Sequence, residues 1–350
     1  MDAASTDPGP ERAEAPGHED GRGIACVMVN YGAADLILAR LGETLAALRR
    51  VPGSVLFVVD NASPGDDVAR LREGLGAHED AVLVAHPRNG GFAAGNNAGF
   101  AALRAFEAER GARFGFVFLL NPDAWPEEDA AERLVAFARA HPRAGVVGPA
   151  IRSEDGAVHW SAFRFPSVLS EIENRIATGV VTRVLFRAVV SPPPPATPAR
   201  TDWVSGAALL MPRGVIDALG PMDEGYFLYF EETDYQRAAA RAGYEVWYAP
   251  DAGVTHLEGA TTGQGKAAPD EAHVPDYWYR SRRRYFEKNH GAAYADRADR
   301  AWLLASRAYV ARQKLLGRSD GGRAAAIARF RANQGQAGDG APEGAGSAGN

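Results

Sequence analysis

Five bulky apolar residues, interrupted by none that is polar, run straight into an acidic cluster in Tyr226-Phe227-Leu228-Tyr229-Phe230-Glu231-Glu232-Thr233-Asp234. Carboxylates this close repel, so one carboxyl pKa rises unless a cation or hydrogen bonds compensate. A fold tolerates that cost where a carboxylate works as a base, a metal ligand or a hydroxyl acceptor. The competing reading is a strand leading into a helix whose acidic first turn suits the helix dipole. Other residues could share the chemistry. Asp60, in Val59-Asp60-Asn61-Ala62-Ser63, is either an Asx-type cap or a hydrogen-bond acceptor for a nucleobase or ribose. Asn89-Gly90-Gly91-Phe92-Ala93-Ala94-Gly95-Asn96-Asn97 is a Gly/Asn-rich loop opening a helix, a place where backbone can approach a diphosphate. Asp123, in Asn121-Pro122-Asp123, is a helix cap or a ligand for a hard divalent ion such as Mg²⁺ or Mn²⁺. His256, in Thr255-His256, becomes a second ligand only beside Asp123.

The elements that must position these residues are legible as periodicity. Uninterrupted apolar runs at residues 24–29, 55–59, 81–85 and 116–120 alternate with helical patterns, the first through Leu36, Leu38, Leu41, Leu45 and Leu48, the others at 67–75, 95–110 and 127–140. Such runs separated by helices imply a mostly parallel sheet covered on both faces. The polar clusters Asn30-Tyr31, Asp60-Asn61, Asn89-Gly90-Gly91 and Asn121-Pro122-Asp123 follow strand ends, where ligands of open α/β sheets lie. Further strands are expected at 146–151, 203–211 and 245–249, a short helix at 212–219, and a helix from the acidic run to Gly243. Residues 160–199 carry no clear period and read as a surface excursion.

Composition sets the frame. The 350 residues are 46% hydrophobic and 23% charged, ordinary for a chain with a real core, and the net charge of −6 argues against nucleic acid as a partner. The single cysteine, Cys26, lies in an apolar run, so an inert buried thiol and a reducing, cytoplasmic compartment are expected. Residues 1–23 and 335–350 read as disordered tails, with no signal peptide at the start, and nothing approaches the ~20 apolar residues of a membrane span. Between Arg280 and Arg331 there are 14 Lys and Arg against 4 Asp and Glu. That basic helical segment either packs on the core or makes peripheral contact with anionic lipid at the inner face of the membrane.

In this order, the strings resemble a family 2 inverting glycosyltransferase with the GT-A fold, in its rhamnosyltransferase-like branch. The strings are Val29-Asn30-Tyr31, the Asp60 and Asn89–Asn97 segments, Leu120-Asn121-Pro122-Asp123, Asp202-Trp203-Val204-Ser205-Gly206-Ala207, Met222-Asp223-Glu224 with the acidic run, and Thr255-His256. The resemblance implies a GT-A domain over 24–290 with a C-terminal basic helical extension at 291–334. It implies transfer of a sugar, rhamnose among the candidates, from a nucleoside-diphosphate donor to a glycan, lipid-linked or small-molecule hydroxyl. Carried over by position, Asn30, Tyr31, Asp60, Asn61, Asn89, Gly91, Asn96 and Asn121 bind the donor, with Arg280 and Arg284 reaching its diphosphate. Asp123 and His256 hold the divalent metal, Trp203, Gly206 and Glu231 face the acceptor, and Glu232 is the base with Glu231 as its alternate. Two positions depart from the family. Asn121 stands where many members have an acid, and the base position is Glu, one methylene longer than Asp. The rival readings are a sugar-phosphate nucleotidyltransferase and a non-catalytic nucleotide-sugar-binding protein.

Overall fold

The computed structural model describes residues 21–176, 178–257 and 274–334; the expected tails lie outside them, apart from 21–23. The amino-terminal half alternates β1 (Ile24–Asn30), α1 (Ala34–Arg49), β2 (Val55–Asp60), α2 (Asp67–Leu75), β3 (Ala81–Ala85), α3 (Gly91–Arg110) and β4 (Phe116–Leu120). Then follow β5 (Ala124–Pro126), α4 (Ala130–Ala140) and β6 (Ala144–Arg152). An excursion carries β7 (Ala162–Phe163), α5 (Val168–Ile176), α6 (Gly179–Val184), a 3-10 turn (Phe186–Ala188) and β8 (Ala199–Thr201). The chain returns through β9 (Trp203–Val204), β10 (Ala208–Pro212), α7 (Arg213–Leu219), α8 (Glu231–Arg241) and β11 (Glu245–His256). It closes with α9 (Asp276–His290), α10 (Ala292–Leu315) and α11 (Arg323–Asn333).

One nine-stranded sheet runs in the order β3-β2-β1-β4-β10-β6-β11-β5, with β8 also paired to β11. The β3-β2-β1-β4 half is parallel, and β10 joins it antiparallel to β4. The pattern of burial explains the apolar runs. Alternate β1 residues Ile24, Cys26 and Met28 enter one core with α1, α2 and α4, whereas Ala25 and Val27 enter a second core on the other face with α3, α7 and α8. A strand buried on both faces has no polar alternation to show. Cys26 is a free, fully buried thiol whose pKa burial pushes up, as its apolar run implies.

Three differences from the sequence-based expectation bear on the site. α3 starts at Gly91, not residue 95, because Gly91-Phe92-Ala93-Ala94 already form its first turn, with Gly90 as N-cap. The run at 203–211 is two strands in different sheets: β9 pairs with β7, and β10 with β4, and the Ser205 hydroxyl accepts from the Ala207 N–H in the turn between. β11 continues to His256, past an irregularity between Ala249 and Gly253 that Pro250 and Asp251 disguise.

Candidate functional site

The carboxyl ends of β1, β2 and β4, the start of α3 and the start of α8 carry the candidate residues. Asn30 is fully buried. Its side-chain amide donates to Asp60 Oδ1 (2.8 Å), Ser63 Oγ (3.0 Å) and Asp67 Oδ2 (3.1 Å), and its oxygen accepts from the Ala33 N–H (3.0 Å). Asn30 thus brackets the β1 and β2 ends, while its neighbour Tyr31 is 40% exposed at the mouth. Asp67 is part of this bracket and was not singled out by sequence. An acid at the start of a helix is ordinary there, and only the fold brings it to Asn30.

Asn61 reaches the next wall. Its amide donates to Asn89 Oδ1 and to the Gly91 carbonyl, both at 3.0 Å, and the Asn89 oxygen also accepts from the Gly91 N–H. The buried Asn61 Oδ1 and Asn96 Oδ1 have no hydrogen-bond partner among the described residues. Buried acceptors without partners are costly, and two beside one glycine-rich helix start fit a ligand that donates to them. Gly91 has a φ of 83°, and a side chain on it would run into the Phe227 backbone; the Phe92 N–H donates to that same Phe227 carbonyl at 3.0 Å. The loop and the acidic run are therefore built against each other.

The acidic run enters α8 through strained backbone. Tyr229 and Phe230 have φ values of 70° and 71°, the left-handed region that bulky residues avoid at a cost of about 1–3 kcal/mol each. Aromatic packing holds them: Tyr229 stacks on Tyr277, and Phe230 lies against Trp278 and Tyr285. The kink delivers Glu231 and Glu232 to the first turn of α8. Burial raises both carboxyl pKa values, that of Glu231 well above the ordinary range and further pushed by the charge of Glu232; nearby backbone N–H groups only partly offset this. An Oε2 on each is buried without a hydrogen-bond partner among the described residues. Asp234 is differently employed, accepting from Lys288 Nζ (2.6 Å) and Asn289 Nδ2 (2.7 Å) of α9.

Glu232 lines a cavity of about 230 Å³ with Trp203, Tyr229, Phe230 and Trp278, to which α5 adds Ser170, Glu171, Asn174 and Arg175. Trp203 stacks on Phe163 at 4.2 Å and donates to the Arg164 carbonyl. A side chain at Gly206 would press on the Glu232 methylenes. The next residue, Ala207, accepts at its carbonyl from the Asn121 N–H (2.9 Å), tying the β4 end to the same turn. A larger cavity of about 430 Å³ lies among the C-terminal helices, but its Arg282 and Arg283 are paired with Asp299 and it holds none of the candidate residues beyond that network.

The register of β5 on β11 sets His256 opposite Ala124, and His256 Nε2 lies 3.1 Å from Asp123 Oδ1 and 3.5 Å from Asn121 Nδ2. Asp123 is 2% exposed. One carboxylate and one imidazole converging at a strand end suit Mg²⁺ or Mn²⁺, which take few protein ligands when phosphate oxygens and water supply the rest. Among the described residues there is no group of three or more metal-ligating side chains, so the pair fits a two-ligand site and not a protein-only cage. Of the basic residues expected at the diphosphate, Arg284 is committed to Asp223 (2.8 Å), whereas Arg280 makes no ion pair or hydrogen bond with a described residue.

A family model described as glycosyltransferase like family 2 matches residues 22–268. Among known proteins, an N-acetylglucosaminyl-diphospho-decaprenol L-rhamnosyltransferase of Mycobacterium tuberculosis is 28% identical over 252 residues, which cover 67% of this chain and 76% of the relative. The mannosyltransferase PcManGT of Pyrobaculum calidifontis, solved with GDP-Man and Mn²⁺, aligns with a TM-score of 0.49 and 17% identity over 93% of this chain and 86% of its own. S. aureus TarS 1–349 with UDP-GlcNAc gives 0.46 and 13% over 89% and 90%. GalNAc-T7 with UDP, GalNAc and Mn²⁺ gives 0.47 and 14% over 75% of this chain, which spans 48% of that one.

Proposed function

Because the chain belongs to glycosyltransferase family 2, we propose that it is an inverting transferase that moves a sugar from a nucleoside diphosphate to a hydroxyl of a lipid-linked glycan. Rhamnose as the sugar and a polyprenyl diphosphate as the anchor are the chemistry named for the Mycobacterium relative. The observation that carries the reading is Glu232: a desolvated carboxylate with a raised pKa and an unpartnered oxygen, on the wall of a cavity. A base whose pKa lies nearer neutrality than an ordinary glutamate transfers protons better.

Single displacement assigns work to this chain's own residues. Glu232 accepts the proton of the acceptor hydroxyl as that oxygen bonds to the anomeric carbon from the face opposite the diphosphate. The bond between the anomeric carbon and the diphosphate oxygen breaks, and the electron pair leaves with the nucleoside diphosphate. Arg280, which makes no ion pair or hydrogen bond with a described residue, meets that charge. Asp123 and His256 would hold a divalent cation, which supplies electrostatic stabilisation of the leaving diphosphate. Asn61, Asn89, Asn96 and Gly91 seat the donor, the first and third through their unpartnered oxygens. Asn30 and Asp60 fix the two strand ends beneath it. Glu231 is the more deeply buried of the two and does not line the cavity, so Glu232 is the carboxylate placed to meet the acceptor hydroxyl.

Glu232→Gln should retain donor binding and lose transfer by roughly 10²–10⁴-fold, the usual contribution of a general base. Turnover near that of the unaltered protein in this variant, with a hydrolysable panel of nucleotide sugars and Mg²⁺ or Mn²⁺, would refute the base assignment. Asp123→Asn should weaken the dependence on added divalent ion, read as a rise in the metal concentration giving half-maximal rate.

A further inference from the structure

The excursion between β7 and β8 presents an apolar and basic surface beside the Glu232 cavity. α6 contributes no buried side chain. Val180 and Val184, one turn apart, are 76% and 74% exposed, and Phe186 in the following 3-10 turn is 57% exposed. Arg183 and Arg187 are exposed on the same segment, and neither makes an ion pair with a described residue. From Arg175 to Val190 the chain has three arginines and no acid. Within α6, helix geometry puts Val180, Arg183 and Val184 on one face, and Phe186 and Arg187 follow in the 3-10 turn.

Polar ties hold this segment from behind. Thr178 Oγ1 accepts from the Val181 N–H and caps α6. Thr182 Oγ1 donates to Glu173 Oε1 of α5 (2.7 Å), and Arg164 Nη1 donates to the Phe186 carbonyl (2.7 Å). The backbone is therefore fixed while its apolar side chains face outward. A small apolar cluster flanked by arginines that pair with no described residue is complementary to an anionic bilayer surface. Its place matters as much as its composition. Asn174 and Arg175 at the end of α5, and Val190 and Ser191 beyond the turn, line the same cavity as Glu232. A polyprenyl-anchored acceptor keeps its tail in the bilayer while its hydroxyl reaches the base, so the bilayer must meet the rim of that cavity.

We propose that α6 and the turn at Phe186 seat the protein on an anionic bilayer, with Val180, Val184 and Phe186 among the headgroups and Arg183 and Arg187 on lipid phosphates. The inference rests on the lipid-linked acceptor read above. This is a different surface from the basic C-terminal helices expected from sequence, where Arg282, Arg283, Arg284 and Lys288 of α9 are held by carboxylates and Arg307, Arg312 and Lys314 of α10 are exposed.

The test is sedimentation of the full chain with vesicles of phosphatidylcholine alone or mixed with phosphatidylglycerol, at low and high salt. The protein should sediment with the anionic vesicles at low salt and be released by salt. Arg183→Ser with Arg187→Ser should weaken partitioning roughly 30-fold, from two basic contacts near an anionic surface. Val184→Ser with Phe186→Ser should weaken it at both salt levels. All four positions are exposed, so each variant should keep its Tm and its transfer to a water-soluble acceptor analogue. Binding that ignores lipid charge, or that is lost only in Leu315→Ser with Leu316→Ser at the exposed end of α10, overturns the proposal. Transfer to the soluble analogue by a protein that sediments with no vesicle overturns this surface alone and leaves the transferase reading standing. Sedimentation that depends on Arg183 and Arg187 in a protein inert toward every donor does the reverse.

Discussion

At the scale of single residues the site is defined by two carboxylates that the fold keeps out of water. The sign of their effect on stability follows from the direction of their shifts. Burial raises the folded-state pKa of Glu231 and Glu232 above the ordinary value of 4.5, so the folded protein binds these protons more tightly than the unfolded chain. Their stabilising contribution is complete below that unfolded value and is lost as pH rises through the raised values. Stability measured by denaturant should therefore fall as pH is raised from 5 toward neutrality by about the contribution of these groups. Glu231→Gln and Glu232→Gln should each flatten that fall and raise Tm by a few degrees above pH 7. If Glu232 is the base, the rate should move the other way, with kcat climbing as pH rises through its raised pKa. A Tm of Glu232→Gln at or below that of the unaltered protein at pH 8 would contradict the burial argument, whatever the variant does to turnover.

At the scale of elements the site depends on how α3 and the start of α8 meet. Gly91 is the joint. Its φ of 83° is strained for any side chain, and a Cβ there would collide with the Phe227 backbone, not with a flexible side chain that could move aside. Gly91→Ala should cost roughly 2–3 kcal/mol, from the left-handed backbone and the displaced contact. It should also weaken donor binding, because the Asn61 and Asn89 bonds to residue 91 hold the loop. Urea unfolding with donor-induced thermal shift separates the two effects; an alanine variant with unchanged donor affinity would detach this joint from the donor site. Much of this was legible in sequence. β1, β2 and β4 announce themselves because both faces are buried, and the polar residues after them stand out against continuous apolar runs. The glycine-rich loop was visible, but not its collision partner 136 positions along the chain (91 to 227). The excursion was opaque because α5 and α6 are short and half exposed, so no periodicity builds up. The division of 203–211 into β9 and β10 was hidden because both pieces are apolar, and only their different pairing partners separate them.

At the scale of the whole molecule, α9 joins the catalytic sheet to the C-terminal helices. One side of it faces the site: Ser281 Oγ donates to the Leu228 carbonyl (3.0 Å), Trp278 lies on Phe230, and Lys288 and Asn289 hold Asp234. Its other side carries Arg282, fully buried and paired with Glu171 of α5 (3.2 Å) and Asp299 of α10 (2.6 Å). In α9 the basic residues Arg282, Arg283, Arg284 and Lys288 are thus held by carboxylates, and Arg280 is the α9 arginine that makes no ion pair with a described residue, while Arg307, Arg312 and Lys314 of α10 stay exposed. Breaking one partner of a buried pair leaves an uncompensated charge, whereas replacing every partner is nearly neutral. Arg282→Met strands Glu171, while Asp299 keeps Arg283 at 2.7 Å. The loss should therefore sit near the low end of the range for such pairs, about 3 kcal/mol. Adding Glu171→Gln to Arg282→Met should recover most of it. Because α9 also supports the strained Tyr229 and Phe230, the single variant should lose kcat along with stability, and the double variant should regain both. Recovery of stability without recovery of kcat would show that Arg282 acts on turnover apart from its part in the fold; recovery of the two together would show that the C-terminal helices act on turnover by supporting the start of α8 from behind.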